Sequence, residues 1–150
     1  MFTTIRRAGG AHRALDEARR HFQRVDPVDD DPEWVRYFDR TEPTVDTGIA
    51  LGRLGDAGAT EPLISEALRG EPTANLRGRA FHTFWLARTR LQRGEVESAC
   101  ATAAEALDLV TGVASPRVLT HLEEFRQERA PHRTVRPAVE LASRIRGISR

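Results

Sequence analysis

The chain has 150 residues, 39% apolar and 30% charged, with a formal net charge of +1. This is the composition of one ordinary globular domain and excludes a disordered chain. No apolar run approaches the roughly 18 residues of a membrane span. No apolar leader follows Met1, and the single cysteine, Cys100, excludes an internal disulfide and a multi-cysteine zinc site, so a cytoplasmic protein is expected.

Hydrophobic spacing is helical along nearly the whole chain, and the predicted fold class is all-α. Ala11, Ala14, Leu15, Ala18, Phe22 and Val25 follow one helix face, predicting a helix over 11–25 that stops before Pro27. Asp29-Asp30-Asp31-Pro32 reads as a loop, and Trp34, Tyr37 and Phe38 as a short aromatic turn. Asp39 with Glu42 reads as a capping box for a helix over 40–54, ended by Gly55-Asp56. The next helix, 57–70, buries Leu63, Ile64, Ala67 and Leu68; Pro62 either delays its start or kinks its first turns. Helices over 79–92 and 95–110 follow, separated by Arg93-Gly94-Glu95. The first carries Phe81, Phe84, Trp85, Leu86 and Leu91, the second Val96, Ala99, Cys100, Ala103, Leu107 and Val110. Ser115 caps a helix over 116–130 with Pro116 at its first position and Val118, Leu119, Leu122 and Phe125 inside. A last helix over 135–147 buries Val135, Ala138, Val139, Ala142 and Ile145. No strand-like alternation is present.

Two segments share one plan. Leu54-Gly55-Asp56 leads to Glu66-Ala67-Leu68, and Arg93-Gly94-Glu95 leads to Glu105-Ala106-Leu107, 39 residues further on. Gly48 and Ala87 occupy equivalent small positions ahead of the turns. These residues resemble the tetratricopeptide repeat, whose small positions they match; Thr44, Thr60, Thr83 and Thr111 depart from its pattern. A narrower set occurs in order: Asp31-Pro32, Trp34, Tyr37-Phe38-Asp39, Glu61-Pro62-Leu63, Gly94-Glu95-Val96, Ala99-Cys100, Glu105-Ala106-Leu107-Asp108 and Ala130-Pro131-His132-Arg133. It is similar to the C-terminal region of tetratricopeptide-containing transcriptional regulators of high-GC bacteria, many of which carry a helix-turn-helix domain ahead of it. Alanine-rich sequence with 23 arginines and no lysine has the same compositional flavour. The resemblance implies antiparallel helix pairs stacked as a short right-handed solenoid. It also implies a binding module that relays occupancy of a concave groove to an output domain. Lysine is absent, so the clamp that chaperone-binding relatives use for a terminal carboxylate is not expected.

The chemistry-bearing residues point the same way. With no lysine there is no Schiff base and no phosphate-loop lysine. His12, His21, His82, His121 and His132 are scattered without metal-ligand spacing, and His121-Leu122-Glu123-Glu124 reads as a surface turn. Cys100 reads as a packed thiol. No catalytic residue, cofactor or metal is expected; a small helical enzyme is the reading from another class. The resemblance implies a groove on the first helix of each pair, which here is Val45, Ile49, Arg53, Phe81, Phe84, Trp85 and Arg88, with Trp85 assigned equally to groove or core. Aromatic residues beside arginine suit a peptide or protein partner, or a small ligand. A stand-alone scaffold or dimerisation protein is the alternative.

Charge is uneven: residues 1–25 hold six arginines against two acids, 26–46 eight acids against two arginines, and 117–150 eight arginines against four acids. No basic stripe carries interleaved aromatics, so direct nucleic-acid contact is not expected. Asp16–Arg20 is expected to pair along its helix. The stripe from Ala11 to Val25 lacks a full partner helix, so the expectation is either self-association through residues 1–25 or a C-terminal fragment of a longer regulator whose missing helix packs there.

Overall fold

The computed structural model describes residues 2–24, 41–111, 116–128 and 130–148; for 2–8, 19, 22, 23, 41–43, 116–119, 130 and 148 it describes the backbone alone. The described residues are helical, with no strand among them: α1 (Phe2–Gln23), α2 (Thr41–Arg53), α3 (Ala57–Gly70), α4 (Leu76–Gln92), α5 (Val96–Val110), α6 (Pro116–Glu128) and α7 (Arg136–Ile148), with a 3-10 turn at Ala130–His132. Contacts divide the chain into two compact units, Met1–Gly70 and Glu71–Arg150.

In the first unit α2 and α3 pack against each other, and α1 lies against α2 over a smaller area. The α2–α3 turn works because Gly55 takes φ +83°, a left-handed conformation that side chains resist. The Gly55 N–H then reaches the Gly52 carbonyl and the Asp56 N–H the Leu51 carbonyl, closing the end of α2 as a Schellman motif. Gly48 sits where α3 crosses closest: a Cβ there would lie 2.9 Å from Ile64 Cδ1 and 3.3 Å from Leu63 Cβ. Val45, Leu51, Leu63, Ile64 and Ala67 are buried in this pair.

In the second unit α4 and α5 make the most extensive helix contact among the described residues; α6 lies against α4, and α7 against α5. The α4–α5 turn repeats the backbone bonds of the first turn, without the side-chain cap that Asp56 provides there. Gly94 has φ +78°, its N–H bonds to the Leu91 carbonyl, and the Glu95 N–H bonds to the Arg90 carbonyl. One core joins Ala80, Phe84, Ala87 and Leu91 of α4 to Ala99, Ala103, Ala106 and Leu107 of α5, Leu122 and Phe125 of α6, and Ala138, Leu141 and Ile145 of α7. The small residues expected at the helix contacts, Ala67, Ala99, Ala103 and Ala106, are all buried, as is Cys100.

Two threonines that depart from the repeat's pattern, Thr60 at an alanine position and Thr83 at an aromatic one, satisfy their own hydroxyls. Thr60, fully buried, donates to the Asp56 carbonyl at 2.8 Å, and Thr83 to the Arg79 carbonyl at 2.7 Å. A buried hydroxyl bonded back to its own helix escapes most of the desolvation cost.

Several expectations need correction. α1 begins at Phe2, nine residues before the predicted start: Gly9-Gly10 lies inside the helix, costing about 1 kcal/mol per glycine relative to alanine without breaking it. Ala14 and Ala18 are exposed, and Arg20 Nε donates to the Asp16 backbone carbonyl at 3.2 Å rather than to its carboxylate. α3 begins at Ala57 with Pro62 inside it, so the proline does not delay the start. α4 begins at Leu76, three residues early, because the Asn75 side chain accepts the Gly78 N–H and caps it. In α7, Val139 is 49% exposed while Leu141 is buried: the buried set 138, 141, 142, 145 follows the i, i+3, i+4, i+7 phase, and 139 falls off it. The aromatic turn, the Asp39–Glu42 box, Val25 and the Ser115 cap lie outside the described residues.

Candidate functional site

The start of α4 gathers polar groups. Gly78 leaves room for the Glu71 side chain to fold over the first turn; a Cβ at Gly78 would lie 2.8 Å from Glu71 Oε1. Asn75 Nδ2 donates to Glu71 Oε1 at 2.5 Å, and Arg79 Nη1 to the Glu71 carbonyl at 3.1 Å. The same carboxylate places Oε2 3.5 Å from Nδ1 of His82, whose side chain is 8% exposed. Burial holds the His82 pKa below the ordinary histidine value; the Glu71 charge opposes this and the Arg79 charge adds to it.

Further along α4, Phe81, Trp85 and Arg88 recur one helical turn apart and meet α6. The His121 ring lies edge-on to Phe81, with centroids 5.1 Å apart, and to Trp85, 6.2 Å apart. The Arg88 guanidinium sits 4.3 Å above the centre of the Trp85 ring, a cation–π stack. It also bridges two glutamates one turn apart on α6. Nε lies 3.0 Å from both Glu128 oxygens, Nη2 bonds Glu128 Oε1, and Nη1 donates to Glu124 Oε2 at 2.8 Å. His121 Nδ1 lies 3.5 Å from Glu124 Oε2. The planar, permanently charged guanidinium suits this double carboxylate.

The seven candidate groove residues fall into two groups. Val45, Phe84 and Trp85 are buried; Trp85 keeps only 2% of its surface in water. Ile49, Phe81 and Arg88 are partly buried and Arg53 is exposed. Val45, Ile49 and Arg53 belong to α2 in the first unit; Phe81, Phe84, Trp85 and Arg88 belong to α4 in the second. On α4 the structure therefore brings Phe81, Trp85 and Arg88 onto one face, with Phe84 turned into the core. It also adds residues that the sequence did not place in the groove: Glu71, Glu124 and Glu128, and two of the scattered histidines, His82 and His121. The predicted surface turn at 121–124 holds for Glu123, which pairs with Arg126 in water, but His121 and Glu124 face α4. Spacing on α6 alone could show that Glu124 and Glu128 share a face; it could not show which helix that face meets.

On this face the charge and the aromatic rings are paired within the fold, Arg88 with Glu124 and Glu128 and with the Trp85 ring, and His121 with Phe81 and Trp85. Among the described residues no group of three or more His, Cys, Asp or Glu side chains could hold a metal ion, and no helix is long and apolar enough to cross a membrane. No protein-family model matches the chain, and no curated protein and no solved structure matches it either.

Proposed function

We propose that this chain is a tetratricopeptide-like interaction module, built of antiparallel helix pairs stacked in a short right-handed solenoid. In this reading it serves a bacterial transcriptional regulator in the cytoplasm. It binds a peptide or protein partner, or a small ligand, without catalysing a reaction. The observation that carries the reading is the duplicated turn: Gly55 and Gly94 lie 39 residues apart, both at positive φ, with matching hydrogen bonds and a buried alanine twelve residues on in each case. A repeat conserved at that level within one chain is the mark of a modular helical array. Within the second unit, α6 beside α4 and α7 beside α5 is the order such stacking produces.

The partner surface is assigned to the first helix of each pair. Ile49 and Arg53 on α2, and Phe81 and Arg88 on α4, keep surface in water, while Val45, Phe84 and Trp85 lie beneath as rigid support. The test is selection of peptides from a display library against the full chain, followed by binding to Phe81→Ala and Arg53→Ala. We expect the selected peptide to lose about tenfold or more in affinity for at least one variant, as a central anchor would require. A set of peptides that all bind both variants as tightly as the parent chain contradicts the assignment.

Self-association through residues 1–25 belongs to the same reading. Ala14 and Ala18 of α1 face water one turn apart, with Gly10 a turn before them. Light scattering is expected to find a dimer that Ala18→Glu dissociates. Ala18 is exposed, so the substitution leaves the fold of one copy untouched; a monomer in both cases removes the dimer from the account.

A further inference from the structure

The contact between α1 and the rest of its unit is narrow and has a titratable polar centre. Of the side chains described along α1, Ala11, His12 and Leu15 are partly buried and the others are exposed. His12 Nε2 lies 2.9 Å from Asp56 Oδ2, across 44 residues of chain. Asp56 is held in place from every side. Its N–H bonds the Leu51 carbonyl, its other carboxylate oxygen accepts the Ala59 N–H at 3.1 Å, and its carbonyl accepts from Thr60. The acceptor is therefore fixed by the α2–α3 turn, whether or not α1 is docked. His12 is 34% exposed, so protons reach it from solvent.

We infer that the docking of α1 onto the α2–α3 pair is gated by protons, with His12 and Asp56 as a clasp that is tightest at mildly acidic pH. There the imidazole is charged and the carboxylate ionised, and the bond is charge-assisted. Above the range where histidine gives up its proton the bond becomes a neutral one and α1 loosens; below the carboxylate range Asp56 becomes protonated and α1 loosens again. The hydrogen bond from His12, then that from Ala59, holds the Asp56 carboxyl below its ordinary value. The remaining described charges near His12 in sequence are Arg13, Asp16 and Glu17 on α1, and those on α2, the helix packed against it, are Asp46 and Arg53. All five are exposed, where solvent screens them.

The test is hydrogen exchange of the full chain from pH 5.5 to 8.5, corrected for the intrinsic pH dependence of exchange and read as α1 protection relative to α3. The exposure of the pair limits its worth, so protection of α1 is expected to fall about two- to fivefold across that range. His12→Gln keeps a donor that does not titrate, and is expected to show a flat profile; Asp56→Asn keeps a helix cap and is expected to be flat as well. A flat profile in the parent chain, or the parent's decline persisting in His12→Gln, overturns the inference.

Discussion

His82 and Arg88 show how single side chains set the chemistry of α4. His82 is buried beside Glu71, and its pKa lies below the ordinary histidine value of 6.5. The folded chain therefore favours the neutral ring. This contribution is whole above pH 6.5, where the unfolded ring is neutral too, and shrinks as pH falls below it, because the unfolded state then binds the proton more readily. Urea midpoints at pH 7 and pH 5.5 are expected to drop toward acid in the parent chain and to drop less in His82→Gln; equal drops would remove His82 from the acid response. Arg88→Met keeps the apolar stem but leaves Glu124 and Glu128 facing each other without their cation. A loss of about 1–3 kcal/mol is expected, less than for a fully buried pair because both glutamates reach water. Adding Glu128→Gln to Arg88→Met should recover part of it in the same urea titration. At this scale the sequence put Phe81, Phe84, Trp85 and Arg88 on one side of the helix; the structure keeps Phe81, Trp85 and Arg88 together and turns Phe84 into the core. Glu71 and His82 were not legible, since their meeting depends on a glycine at 78 that lets a side chain fold back over a helix start.

At the scale of elements, the turns and small-residue contacts make the pairs. Gly94→Ala forces an alanine to φ near +78° and is expected to cost about 1–2 kcal/mol; Gly55→Ala should cost a similar amount, since the two turns share their backbone bonds. Ala103→Leu places three extra carbons in a site with 1% exposure and is expected to cost about 1–3 kcal/mol. Thermal unfolding checks all three, and an unchanged melting temperature in Ala103→Leu would count against close packing of α4 on α5. Gly-acid turns and apolar stripes are strong local signals, so α2, α3 and α5 were readable to within a residue or so. α1 was not, because two adjacent glycines signal a turn locally, whereas the remainder of α1 holds them in a helix. The start of α4 was missed for a related reason: Asn75 is a good cap, but the next turn offers only the isolated, exposed Leu76 and then Gly78, so no apolar stripe announces the helix.

For the whole molecule, helicity and the 39-residue duplication were legible because both are properties of spacing. The identity of what binds was not, because a recognition surface is defined by what it leaves unsatisfied, and Arg88 is already satisfied by Glu124 and Glu128. In the proposed function, partners are read by the first helix of each pair, through binding that a partner's presence makes visible. This is tested most directly by hydrogen exchange of the full chain with and without a library-selected peptide. New protection is expected on α2, on α4 or on both, around Ile49–Arg53 and Phe81–Arg88, with α3 and α5 unchanged. Protection confined to α3 and α5, the second helices of the pairs, would contradict it.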